Sequence, residues 1–374
     1  GPFFPKNSSN VVNSNMRLMN TNSYRLQVTT ILTRAQKRFN RSLSSSTPVN
    51  KDDRGLDGKH DAGDHLVLFS YDSESCVGTL SLNDPKRYNA LSMPMGHQFK
   101  SVIQGLTKKL TINATYNPNP GTNCYFDSIM PDCDISKMSA LILTGSGNKA
   151  FCTGADYSWL RSLNTNPVHV NSDIMYSFYD SFLCIRELPV PTIAAIHGTA
   201  IGMGACLALA CDLRIILGGT KSRPGGAKIG FPFGKLGMHP GMGGSHFAPI
   251  IMGESQAMEA MLLGKVFDAE EALRVGLVNR VTSLDCKDED KEKICVKQKA
   301  LELAMELTGK HPLALRSMVR TMRMREDGMG GGLEAALRRE AYAQALCFDR
   351  NDFGEGIYAI LERRNPEFGD YGES

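Results

Sequence analysis

No stretch of the 374 residues holds the roughly 18 to 20 consecutive apolar side chains that a membrane-crossing helix needs. The ten cysteines contain no C-x-x-C pair and no regular spacing, which argues against a zinc ribbon or a disulfide framework and for free, mostly buried thiols in a reducing compartment. The third absence is local. Residues 1–50 carry Lys6, Arg17, Arg25, Arg34, Lys37, Arg38 and Arg41 but no Asp or Glu at all. An acid-free segment rich in Asn, Ser and Thr has the composition of a mitochondrial transit peptide. The run "YRLQVTTILTRAQKRFNRSLSSS" can form a basic amphipathic helix on Leu26, Ile31, Leu32 and Phe39. A matrix location is therefore expected, with a disordered basic tail as the alternative. Gly1-Pro2 has the look of an expression scar and is left out of fold reasoning. Without those seven cations the formal charge passes from +3 to −4, so general nucleic-acid binding is not expected.

What is present is a chain 42% hydrophobic, enough for a substantial buried core. From Asp64 the pattern becomes regular. "HLVLFSYDSESCVGTLSL" reads as a strand pair, "DPKRYNALS" as a turn, and about Met93 to Leu110 as a helix. The Asn-, Pro- and Gly-rich residues 111–138 read as an inserted surface loop. "SALILTGSG" is a buried strand; "KAFCTGADYSWLRSL" is a loop entering a helix. Another helix is expected from about Ser172 to Arg186, followed by the strand "VPTIAAIHG", a glycine turn with a short apolar helix, and the strand "DLRIIL". Strand, turn and helix alternate, which argues for a layered α/β architecture. After "KIGFPFGKLGMHPGMGG" the pattern is expected to be wholly helical. The expected division is thus an α/β core over 64–264 and a C-terminal helical region over 265–374.

Two turns carry the chemistry. "FCTGAD" follows one buried strand and "GTAIGMGA" another. If those strands are neighbours, both turns open at one sheet edge and two backbone N–H groups can converge on a single oxygen, forming an oxyanion hole. Each turn taken alone could equally be a tight connection.

In order, "NDPKRYNALS", "ALILTGSGNKAFCTGADYSWL", "PVPTIAAIHGTAIGMGACLALACDLRI", "IGFPFGKLGMHPGMGG" and "DAEEALRVGLVNRV" resemble the successive signatures of the crotonase superfamily, the enoyl-CoA hydratase/isomerase enzymes, over roughly Asp64 to Tyr371. The resemblance implies a ClpP/crotonase-like spiral of ββα units and a C-terminal helical region that packs as a homotrimer or dimer of trimers. It also implies an acyl-CoA thioester substrate, with no permanently bound cofactor and no metal, coenzyme A arriving as part of the substrate. The N–H groups of Ala155 and Met203 would hold the thioester oxygen. CoA and acyl contacts are implied for Lys86, Arg87, Tyr88, Ala90, Thr153, Asp156, Tyr157 and Leu160, and for Gly202, Pro232, Phe233 and Gly237. Lys86 and Arg87 offer cations for phosphates, or are solvated turn charges. Asp156 reads as a loop-fixing residue, and Tyr157 and Trp159 as pocket lining or helix packing.

The chain departs from the family where water chemistry is done. Aligned by motif, the two hydratase glutamates fall at Cys206 and Phe233, and the isomerase glutamate falls at Gly241. None is a carboxylate. His239, beside Pro240, is one remaining base candidate; Cys206, in the first turn of a helix, is another. Both have ordinary structural alternatives. Arg316, Arg320 and Arg323 stand at i, i+4 and i+7, either as a phosphate-facing stripe or as a solvated face. The inventory suits loss of CO2 from a malonyl-type thioester, which makes an enolate without a general base. An unusual enoyl-CoA hydratase or isomerase of fatty-acid or branched-chain breakdown, and a non-catalytic CoA-binding or assembly protein, remain alternatives.

Overall fold

The computed structural model describes residues 65–111, 134–220, 223–282, 289–308, 332–348 and 351–364, with parts of 315–323. The acid-free leader and nearly all of the 111–138 insertion lie outside the described residues.

Strands β1 (Val67–Asp72) and β2 (Val77–Leu82) form the expected antiparallel pair. They are followed by α1 (Met93–Thr111), whose buried residues Met95, Phe99, Val102, Ile103, Leu106 and Leu110 recur at helical spacing on one face. Each such side chain is worth about 1.5 to 3 kcal/mol when buried. The chain then repeats one unit: a long strand, a short strand, and helix. β3 (Ala140–Gly145) and β4 (Ala150–Cys152) lead into α2 (Tyr157–Ser162) and α3 (Val168–Leu183). β5 (Thr192–Ile196) and β6 (Thr199–Ile201) lead into α4 (Met203–Ala210). β7 (Leu213–Leu217) and β8 (Ile229–Gly230) lead into α5 (Gly244–Met252) and α6 (Glu254–Leu262). This is the expected spiral of ββα units. All residues of β3 and β5 are buried, as parallel strands covered on both faces must be.

The long strands assemble a six-stranded sheet in the order β1-β2-β3-β5-β7-β10, parallel beyond the first pair. The short strands form a second sheet, β4-β6-β8-β9. Two of these strands correct the expectation that the chain is wholly helical after Gly264. β9 (Val266–Phe267) closes the second sheet against β8, and β10 (Arg280–Thr282) extends the first beside β7, with α7 (Ala269–Arg274) between them. Strands of two or three residues are too short to show alternation. The helices α8 (Glu289–Thr308), α9 (Gly332–Phe348) and α10 (Asn351–Leu361) follow. The helix expected from Ser172 begins earlier, at Val168, directly after Pro167, and its last turn tightens to a 3-10 turn over Cys184–Glu187. No described helix is long and apolar enough to cross a membrane.

The arginine series is split: Arg320 is exposed, as a solvated face requires, while Arg316 and Arg323 are bound into the protein. The Arg323 side chain is only 7% exposed and grips Asp212 with Nε and Nη2 at 2.9 and 2.6 Å. It also donates to the carbonyls of Arg186, Leu188 and Val190. Arg316 donates to the carbonyls of Leu110 and Ser136, while Arg320 is exposed. Two of the three therefore tie the C-terminal region to the α/β core.

Candidate active site

β4 and β6 are parallel neighbours, and the two glycine turns leave their C-terminal ends side by side. Gly154 takes φ +95°, and a Cβ there would lie 3.0 Å from the Ile201 carbonyl oxygen and 3.5 Å from the Met203 nitrogen. Gly202 takes φ 56°, ψ −123°, a region open essentially to glycine alone. Gly204 serves a different need: its Cβ would fall 2.2 Å from the Cys152 carbonyl oxygen, so only glycine lets α4 pack this close to β4. Met203 is the first residue of α4, whose N-cap has no side-chain bond, and its N–H therefore points out of the helix end. A parallel bridge to Leu91 holds Ala155, with Leu91 donating to the Gly154 carbonyl at 2.7 Å and Asp156 donating to the Leu91 carbonyl at 2.9 Å. Among the described residues, no backbone acceptor takes the N–H of Ala155 or of Met203. Two unspent donors on adjacent turns, one at a helix start, are suited to an oxygen that gains negative charge.

A cleft of 340 Å³ opens between the 85–88 turn and the connection from β3 to β4, lined among others by Lys86, Tyr88, Asn148 and Lys149. Lys86 and Lys149 are exposed and Tyr88 is half-exposed. Arg87 is differently placed: its Nε lies 2.9 Å from Asp84 and its Nη1 3.6 Å from Asp156. Asp156 in turn caps α2 by accepting from the Trp159 N–H, a loop-fixing role. Thr153 donates its N–H to the Tyr88 carbonyl, and Ala90 lies half-buried on the same turn.

Sequence reasoning missed the residue that assembles this cleft. Asn89 is fully buried at φ 55°, accepts from the Asp84 N–H, and donates to the carbonyls of Ser146 and Ala150. Arg223 adds bonds to the carbonyls of His197 and Asn148. Asn89→Ala is expected to destabilise the fold by about 3 kcal/mol, since several buried polar groups lose partners at once. Denaturant melts check this.

The three positions at which the family resemblance leads one to expect a carboxylate, residues 206, 233 and 241, are occupied as follows. Cys206 is fully buried, and a Cβ on Gly244 would sit 2.9 Å from its sulfur and 3.6 Å from the Pro240 Cβ. Phe233 is also buried, with its ring 3.8 Å from where a Cβ on Gly202 would stand. Pro232 is half-buried, and Gly237 ends the Gly234–Leu236 turn in a left-handed conformation. A Cβ on Gly241 would meet the Tyr179 hydroxyl at 2.5 Å and Gln344 Nε2 at 2.4 Å. Tyr179 and Gln344, both fully buried and hydrogen-bonded to each other, are further residues that sequence reasoning missed. His239 is half-buried nearby, with Nδ1 2.7 Å from the Pro240 carbonyl oxygen. On the other side, the Trp159 ring packs 4.3 Å from Phe178, Leu160 is buried, and burial pushes the Tyr157 hydroxyl up from its ordinary value.

No cluster of three or more metal-ligating side chains occurs among the described residues. No disulfide joins Cys76, Cys152, Cys184, Cys206, Cys211 or Cys295, and burial pushes the thiols of Cys152 and Cys211 up to about 12. A thiol-specific reagent at neutral pH is accordingly expected to leave both unmodified until the protein is unfolded, as peptide mass mapping would show.

A family model described as enoyl-CoA hydratase/isomerase matches residues 128–371. The putative enoyl-CoA hydratase/isomerase YngF of Bacillus subtilis is 31% identical, over 81% of this chain and 97% of its own. The probable enoyl-CoA hydratase 2, mitochondrial, of Arabidopsis thaliana is 34% identical over 82% of this chain and 93% of its own. The solved structure of a carnitinyl-CoA hydratase from Mycobacterium avium superposes with a TM-score of 0.59 at 26% identity, over 81% of this chain and 98% of its own.

Proposed function

This chain belongs to the enoyl-CoA hydratase/isomerase family, and from that premise we propose that it binds an acyl-CoA thioester and stabilises its enolate on the N–H groups of Ala155 and Met203. The observation that carries this is the pair of unspent donors on adjacent glycine turns. Placed in a water-poor site they lower an enolate-forming barrier by several kcal/mol. The cleft at Lys86, Tyr88 and Lys149 is suited to the polar end of CoA, and Lys86 and Lys149 are the cations free to meet phosphates, since Arg87 is engaged by two carboxylates.

With Cys206, Phe233 and Gly241 at the three carboxylate positions, decarboxylation of a malonyl-type thioester suits the site best. The bond from Cα to the carboxylate breaks, its electron pair moves into the enolate, CO2 departs, and Cα then takes a proton. The names of the relatives favour a second reading, addition of water to a 2-enoyl-CoA. Turnover of methylmalonyl-CoA, crotonyl-CoA and a 3-enoyl-CoA by the purified protein separates the two. CO2 release from methylmalonyl-CoA alone supports the first reading; hydration of crotonyl-CoA overturns it in favour of the second. Tight binding of all three without turnover would leave a CoA-binding or assembly protein.

The acid-free leader and the mitochondrial relative support a matrix location, to be tested by import of a reporter carrying residues 1–50. Met258, Leu262 and Leu263, 61%, 73% and 65% exposed on and just after α6, support burial of this face in a homotrimer or dimer of trimers. Sedimentation equilibrium should give three or six times the chain mass.

A further inference from the structure

The geometry points to His239 as the proton-transfer residue of this site, held in place by Gln344 and Tyr179 acting as positioning residues; this deepens the enolate reading and rests on it. The turn that carries His239 lies in the chain between Phe233 and Gly241, two of the three carboxylate positions. Met238 donates its N–H to the Phe233 carbonyl at 3.0 Å, and Pro240 borders the space beside the Cys206 sulfur. Of the two titratable side chains on the segment that joins the Phe233 and Gly241 positions, Lys235 is exposed and His239 is half-buried.

Its imidazole is not free to choose a tautomer. A carbonyl oxygen only accepts, so the 2.7 Å contact with the Pro240 carbonyl requires a proton on Nδ1. The neutral ring then carries its lone pair on Nε2. The backbone is held as firmly. Gln344 Nε2, from α9, donates to the His239 carbonyl at 3.0 Å, while Gln344 Oε1 accepts from the Tyr179 hydroxyl of α3. Both side chains are fully buried, where each bond is costly to break. They also fill the volume that a carboxylate on residue 241 would need. A neutral network thus stands where a glutamate would otherwise carry the charge, and the proton-carrying group is moved two residues back along the chain.

In the decarboxylation, a proton that solvent places on the Nε2 lone pair supplies what the oxyanion hole cannot. After CO2 leaves, Cα of the enolate bonds to the proton of Nε2–H, the N–H pair stays on Nε2, and solvent returns a proton to the ring. Cys206 takes no part, and Cys206→Ala is expected to keep full turnover.

The test uses the full chain with methylmalonyl-CoA and three variants, His239→Gln, Gln344→Leu and Tyr179→Phe. His239→Gln is expected to lower kcat about 100-fold, within the range of general acid–base contributions, while KM stays within about twofold. Gln344→Leu and Tyr179→Phe should lower kcat by about 10-fold, again at constant KM. Nitrogen-15 NMR of the resting wild-type protein should show the Nδ1–H form of His239, and Gln344→Leu should broaden that signal. The assignment is overturned if His239→Gln keeps kcat within twofold, or if the neutral resting ring carries its single proton on Nε2 and none on Nδ1. These outcomes leave the oxyanion-hole reading standing. Failure of the wild type to turn over methylmalonyl-CoA, crotonyl-CoA and the 3-enoyl-CoA overturns that reading, and this assignment with it.

Discussion

Gly154→Ala is expected to lower kcat/KM for the thioester that the wild type turns over by about 100- to 1000-fold, the loss usual when an oxyanion donor is disabled. Two effects add. Gly154 sits at φ +95°, so alanine is strained there by about 1 to 3 kcal/mol. The added methyl would also lie 3.0 Å from the Ile201 carbonyl oxygen and 3.5 Å from the Met203 nitrogen, which forces the two donor turns apart. Gly253→Ala separates these contributions. Gly253 has a similar φ of +82°, but a Cβ there meets nothing within 4 Å. That variant should lose a comparable part of its stability and keep its kcat/KM. Equal losses of kcat/KM in both variants would reduce the effect to backbone strain and remove the assignment of the donor pair.

The second large effect is on stability. Arg323→Met leaves the half-buried Asp212 carboxylate, 23% exposed, without its guanidinium, and removing one partner of a partly desolvated pair costs about 3 kcal/mol, the low end of the range for buried pairs. Burial alone would raise the Asp212 carboxyl. The Arg323 hydrogen bond and charge, with the Thr192 N–H and hydroxyl, nevertheless hold it below its ordinary value. In the wild type this contribution is therefore present above the unfolded carboxyl range, near pH 4, and is lost as pH falls through the lower folded value. In the variant only burial and the Thr192 bonds remain, so protonation relieves the uncompensated charge. The difference in unfolding free energy between the two proteins should be largest near pH 7 and shrink toward pH 4. Urea melts at both pH values check this, and a pH-independent difference would mean that lost packing, not charge, is responsible.

Much of the site was legible because its demands are local. Gly154 and Gly202 are required by their own backbone angles, and Gly204 by one close contact with β4. Such needs leave glycines at fixed offsets behind apolar strands, so the paired turns and the order of the ββα units could be read directly. The residues missed have partners far along the chain. Asn89 bonds to carbonyls 57 and 61 residues away. Gln344 meets Tyr179 across 165 residues. Arg323 reaches Asp212 across 111, which is why its helical spacing with Arg316 and Arg320 was misleading. β9 and β10 escaped because so few residues carry no periodicity.

The sequence by itself determined the strand and helix order, the two glycine turns and the absence of carboxylates at residues 206, 233 and 241, since all three are properties of neighbours in the chain. Only the tertiary structure decided that the two N–H groups lie side by side and unspent, that Arg87 is engaged by Asp84 and Asp156 while Lys86 and Lys149 face the cleft, and that Tyr179 and Gln344 fill the space at Gly241. Those facts depend on which distant segments the folded core packs together, and hydrogen-bond partners chosen by packing leave no mark on local pattern.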